Sequence, residues 1–197
     1  MVLVFNVSNI FSQENAKHLT FKGVEIDGTL DRFVSKMQQK GFTYIGESSE
    51  VAILNGNFAG YRDCNLYIYP NGKGNVYMAG VCFPTSSSWT VLYSNYLSIK
   101  NMLLEKYGKP LFCTERFNST VEPRDDKSKF YEAQMERCEY KTVFYFEEGM
   151  ISVQISTVQM RCYVSLTYSD RSNSQEDKDA AKEDFVKMLV VALNNMY

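Results

Sequence analysis

SWTVLYSNYLSIKNMLLEKYGKP, residues 88–110, decides the fold. Its apolar residues Trp89, Leu92, Tyr96, Ile99, Leu103 and Tyr107 recur every three or four positions, and Tyr93, Leu97, Met102 and Leu104 widen the stripe. A helical period places them all on one broad face. Ser88 can accept a backbone N–H as N-cap, Gly108 suits the left-handed position beyond the end, and Pro110 forbids continuation. Such a helix can anchor a core, but it carries no chemistry of its own.

Strand-like sequence flanks it on both sides. Upstream, Leu19-Thr20-Phe21 and Val24-Glu25-Ile26 read as an extended lead-in around Gly23. Asp27 then suits the N-cap of a helix over 28–40. Leu30, Phe33, Val34 and Met37 face inward, Arg32, Lys36 and Lys40 face outward, and Gly41 ends it. Strands are expected at 42–46, 51–54 (with an extension toward Ala59), 65–69 and 76–83. Pro70-Asn71-Gly72-Lys73-Gly74 makes a hairpin between the last two.

Downstream of the central helix the order returns. A strand at 111–117 leads to a charged excursion over 118–137, where Asp125 or Asp126 can cap a short helix. Strands at 139–146, 150–157 and 161–169 follow. A final helix over 175–195 is capped by Ser174, with Ala181, Phe185, Met188, Leu189, Ala192 and Met196 as its stripe. The expectation is an α+β fold with an antiparallel sheet, helices on one sheet face and a single domain over 19–197. It is built from two helix-plus-four-strand units, about 19–87 and 88–170, alike in pattern but not in residue identity, with a closing helix over 174–196.

Composition narrows the function. A formal net charge of −2 and a pI near 5.6 argue against nucleic acid, which demands a basic footprint. No apolar run approaches the roughly 20 residues of a membrane-spanning helix. Fourteen tyrosines and thirteen phenylalanines suit a strand-rich chain and permit an aromatic binding face. The apolar start, VLVFNVSNIF at 2–11, ends at polar Ser12-Gln13-Glu14-Asn15. Two readings stand: a truncated secretory signal lacking its basic region, which implies a periplasmic or secreted protein, or a first β-strand, which leaves a cytoplasmic protein open.

The five cysteines show no CxxC pair and no metal-ligand spacing, so packed free thiols are expected. Cys64 and Cys82, facing each other across the 70–74 hairpin, are a disulfide candidate only in an exported protein. His18 is the single histidine, which leaves Ser-His-Asp and Cys-His chemistry without a base unless His18 itself serves. Gly72-Lys73-Gly74 lacks the helix that a phosphate loop needs. Asp125-Asp126 and Glu147-Glu148 read as solvated loop charges. No catalytic residue, metal ligand or cofactor is assigned.

Strand alternation sorts the sheet into two faces. Toward the helices point Leu66, Ile68, Val76, Met78 and Cys82, then Tyr140, Thr142, Phe144, Phe146, Ile151, Val153, Ile155, Cys162, Val164, Leu166 and Tyr168. Away from them point Asn65, Tyr67, Tyr69, Tyr77, Ala79 and Phe83, then Lys141, Val143, Tyr145, Ser152, Gln154, Ser156, Tyr163, Ser165 and Thr167. Tyr67, Tyr69, Tyr77, Tyr145, Gln154 and Tyr163 are the candidate contact residues of an open, tyrosine-rich face. Tyrosine gives large contact area at low entropy cost. An ordinary solvated face and a face covered by a third element are the competing readings.

The run FKGVEIDGTLDRF at 21–33, with Lys40-Gly41-Phe42, Ser88-Trp89, Tyr107-Gly108-Lys109-Pro110 and Leu166-Thr167-Tyr168-Ser169-Asp170, resembles a family of uncharacterised, exported proteins of gut Bacteroidales. The resemblance implies no activity. At the level of topology the two units are similar to the β-lactamase inhibitor protein, which implies target recognition by an open sheet face. The expected function is therefore a non-enzymatic module that binds a protein or other ligand. A small carboxylate-based hydrolase and a self-associating structural component are the alternatives.

Overall fold

The computed structural model describes residues 17–119 and 122–174. Two short strands, β1 (Thr20–Phe21) and β2 (Val24–Glu25), pair with each other and lead into α1 (Leu30–Gln39). A meander follows: β3 (Thr43–Ser48), β4 (Val51–Phe58), β5 (Tyr61–Pro70) and β6 (Val76–Cys82). After α2 (Trp89–Tyr107) come β7 (Phe112–Phe117), α3 (Asp126–Gln134), β8 (Cys138–Tyr145), β9 (Gly149–Val158) and β10 (Arg161–Asp170). One helical turn, α4 (Arg171–Ser174), closes the described chain. The architecture is α+β, with one antiparallel eight-stranded sheet in the order β3-β4-β5-β6-β10-β9-β8-β7. Each four-strand run is local, and the two runs meet only where β6 pairs β10.

α2 forms where its stripe dictates. Ser88 Oγ accepts the Val91 N–H at 3.3 Å, and Gly108 takes a φ of 75° that a side chain would oppose. Asp126 adds its carboxylate to the same helix start, accepting the Thr90 N–H at 2.7 Å. Trp89, Leu92, Tyr96, Ile99 and Leu103 are buried against the sheet. Trp89 meets the rings of Phe117 and Tyr140 at 4.9 Å each, and the Tyr96 hydroxyl shares a 2.7 Å hydrogen bond with Thr142. The main core combines these residues with Phe33 and Met37 of α1 and with Leu54, Leu66, Ile68, Val81, Phe144, Ile151, Val153, Val164 and Leu166 of the sheet.

Three expectations need correction. Thr29, not Asp27, is the N-cap of α1, because Asp27 is engaged elsewhere. Met78 and Cys82 face away from the helices while Ala79 and Phe83 join the main core. The cause is a register shift between β5 and β6: Pro70 pairs Val76 while Tyr69 pairs Met78, so Tyr77 is an extra residue and every position beyond it changes face. That shift also removes the Cys64–Cys82 disulfide candidate. Cys64 lies on the helix side and Cys82 on the other, and all five cysteines are free. The expected helix over 175–195 and the stretch 2–11 lie outside the described residues. No described helix is long and apolar enough to cross a membrane.

The start of β9 is packed to backbone contact. A Cβ on Gly149 would lie 2.1 Å from the Ser169 carbonyl oxygen. Gly149→Ala is expected to cost about 2–4 kcal/mol in urea unfolding through overpacking against main chain that cannot yield. A loss within about 0.5 kcal/mol, the range of a neutral surface change, would contradict that contact.

Candidate binding site on the second sheet face

The face turned away from the helices carries its own cluster: Val51, Ile53, Tyr67, Tyr69, Tyr77, Met78, Cys82, Val158 and Tyr163. All are strand residues, so among the described residues no helix supplies this layer. Strand pairing places Ile53, Tyr67, Gly80, Thr167, Ser152, Val143 and Phe112 in one row across the sheet. Asn55, Asn65, Cys82, Ser165, Gln154, Lys141 and Thr114 form the next row. The β5–β6 side is thus aromatic, and the β9–β10 side is lined by serine, threonine and glutamine.

The six candidate contact residues separate. Tyr67, Tyr69, Tyr77 and Tyr163 are buried, at 0%, 3%, 3% and 5% exposure, whereas Tyr145 is 52% exposed and Gln154 is half-buried. The expectation of an open face is corrected at those four tyrosines and along the neighbouring Ser152, Ser156, Ser165 and Thr167, which are also buried. The sequence does hold a signal for this. All seven residues of β6, VYMAGVC, are buried, and a continuous apolar run without alternation marks a strand covered on both faces.

The four buried tyrosines and Cys82 form one electrostatic unit. Burial raises the phenol pKa of Tyr67, Tyr69 and Tyr163 well above the ordinary value, and the neighbouring Cys82 raises all three further. The same burial pushes Cys82 up to about 12. At neutral pH the cluster is therefore uncharged, and Cys82 is a thiol and not a nucleophilic thiolate. Asn65 hydrogen-bonds Tyr67 and accepts from Asn55 Nδ2 at 2.9 Å, while Ser156 and Ser165 share a 2.8 Å bond. Among the described residues the Tyr69 hydroxyl has no hydrogen-bond partner, an uncommon state for a buried phenol.

Beside this cluster a small cleft, with a cavity volume of about 30 Å³, opens to solvent. Its floor is Tyr67, Cys82, Phe83, Val158 and Tyr163, and Asp63, Asn65, Thr85 and Arg161 bring polar groups to its lining. An apolar floor with a few polar groups around it is the usual form of a binding pocket. Among the described residues no group of three His, Cys, Asp or Glu side chains is placed to hold a metal ion.

A second polar cluster, which sequence reasoning missed, ties the first described residues to the last. Asp170, at 0% exposure, accepts the Leu19 N–H at 2.8 Å and the Asn173 N–H at 3.0 Å, and lies 3.2 Å from His18 Nδ1. Asn173 Nδ2 donates to Asp27 Oδ1 and to the Val76 carbonyl, each at 3.0 Å, and His18 Nε2 lies 3.9 Å from Asp27. Periodicity cannot reveal such a clamp, because its residues are scattered over the chain and meet only in the fold. With both Asp170 oxygens occupied by backbone donors, the cluster is a structural tie between the lead-in, β6 and α4.

Two outcomes follow for this tie. Asp170→Ala strands two buried N–H groups and is expected to cost about 3 kcal/mol in chemical unfolding; a loss under about 1 kcal/mol would refute the clamp. Partial burial pulls the Asp27 carboxyl upward, but bonds from Asn173 and the Gly28 N–H with the charges of His18 and Lys36 outweigh it, and its pKa is lowered. Its stabilisation is thus present above the unfolded value and is lost as pH falls through the folded one. Asp27→Asn should lose less stability than the parent between about pH 5 and about pH 3, read from thermal unfolding at each pH. Comparison with protein-family models, curated proteins and solved structures gives no match.

Proposed function

We propose that the protein is a non-enzymatic recognition module that takes a protein or other ligand on the tyrosine-rich second face of its sheet. The observation that carries this reading is the cleft floored by Tyr67, Cys82 and Tyr163, with Asp63, Asn65, Thr85 and Arg161 around it. Its size and chemistry suit the edge of an apolar or aromatic group, such as a side chain of a protein partner, seated at the mouth with its polar part outward. The buried phenols and the protonated Cys82 provide no nucleophile near neutrality, and Asp63 is a single carboxylate in this lining where a carboxylate-based hydrolase uses two, which favours binding over hydrolysis. Tyr69 and Tyr77 stand behind the floor as packing. Tyr145 and Gln154 extend the same face toward β8 and β9.

Ligand-observed NMR on the intact protein with indole and p-cresol as probes tests the reading. The exposed Thr85 lines the cleft, so Thr85→Trp plugs it without disturbing the core. Both probes are expected to bind the parent and to lose at least about tenfold in affinity to the variant. No binding to the parent, or equal binding to both proteins, would overturn it.

A further inference from the structure

The sheet splits between β8 and β9. Their ladder stops at Lys141 opposite Gln154, yet β8 stays paired with β7 as far as Cys138 and β9 stays paired with β10 as far as Val158. The split holds a cavity of about 230 Å³. A single water needs only about 10–15 Å³, so this space admits a small organic group. Gln154 and Ser156 line it from one face of β9, and Ile155 and Thr157 line it from the other. Successive strand residues point to opposite faces, so only an opening through the sheet brings all four to one cavity. Glu136 stands at this opening in a backbone conformation that a side chain opposes. α3 ends with the Glu136 N–H bonded to the Ala133 carbonyl at 3.0 Å and the Arg137 N–H bonded to the Glu132 carbonyl at 2.8 Å. The residue between those two turns is left-handed, a place usually held by glycine, and Glu136 occupies it with a φ of 57°.

We propose that the split between β8 and β9 is a binding site for a guanidinium group, whose charge pairs with Glu136 and whose flat edge enters between the two strands. The lining offers acceptors. Glu136 is its only charged side chain, and it has no ion-pair partner among the described residues. The adjacent Arg137 does not compete for it, because both ends of its guanidinium bond Glu132 at 2.8 Å. Gln154 uses its N–H on Ser156 Oγ at 3.2 Å, which leaves its amide oxygen for a ligand. Thr157 donates its hydroxyl proton to the Ala133 carbonyl at 2.8 Å, so it too meets a ligand as an acceptor. A carboxylate with two further acceptors selects a cation rich in N–H groups. Guanidinium presents five of them in a rigid plane, and a slot between two strands favours a plane over the round ammonium head. The site does not share Thr85 or Arg161 with the cleft proposed above, so either can fail without the other.

The test titrates the full chain with L-arginine and with L-citrulline, its uncharged analogue of nearly the same shape, and reads backbone amide shifts by NMR. Arginine is expected to bind with a Kd of about 1–10 mM and to move the amides of Ile155, Ser156 and Thr157, with citrulline at least about tenfold weaker. Glu136→Gln should weaken arginine by a similar factor, and Thr85→Trp should leave it unchanged. Glu136→Gly should abolish arginine binding while raising the urea midpoint, because it relieves the left-handed strain. A fall in that midpoint would mean that Glu136 is there for stability, and would overturn the assignment. No arginine binding up to about 50 mM, equal binding of citrulline, indifference to Glu136→Gln, or loss of binding in Thr85→Trp would overturn it as well.

Discussion

Everything in this fold depends on the pairing of β6 with β10. Within each half, neighbouring strands are joined by turns or by short excursions and pair almost as soon as they are made. The two halves become one sheet only through Met78–Cys82 against Ser165–Ser169, residues more than eighty positions apart. Such a contact closes a long loop before it returns any energy, so it must be well rewarded. The reward is burial on both sides. β6 is buried at all seven positions, and β10 is buried from Cys162 through Tyr168.

The helices lie on one side of that seam. α2 packs on β9 and β10 of the second half, while α1 packs over β3 and β5 of the first, and both feed one main core. The tie at Asp170 is placed where the seam ends: it gathers His18 and Leu19 from the lead-in, Asn173 from α4 and, through Asn173, the carbonyl of Val76 at the head of β6. A buried carboxylate with two backbone donors and an imidazole is satisfied enough to remain there, and it fixes the angle at which the lead-in crosses the sheet.

Much of this was legible because it is local. Ser88, Gly108 and the stripe between them specify α2 in any context; the alternation in β8, β9 and β10 assigns their faces correctly; and the turn residues at 70–74 and 147–149 locate the hairpins. What escaped is what locality does not encode. The extra residue at Tyr77 is a property of the β5–β6 pairing, so alternation counted from Val76 assigns Met78 and Cys82 to the wrong side. The burial of Tyr67, Tyr69 and Tyr163 depends on what stands over them, and tyrosine serves equally in a core and on a contact surface. The run VYMAGVC was the available clue, and reading it as an alternating strand concealed it. His18 and Asp170 are separated by most of the chain, and no sequence pattern links the two.

The bulge at Tyr77 also sets a phase. Everything from Met78 onward in β6, and through it the match to β10, is correct only because one residue is counted twice on one strand and once on the other. Loss of one residue at the bulge would restore an even ladder between β5 and β6, whereas one residue added between Ala79 and Cys82 would put neighbouring positions of the central strand on the wrong faces. Along this chain, tolerance to insertion and deletion is thus set less by distance from the core than by whether a change falls before or after the point where the phase is fixed.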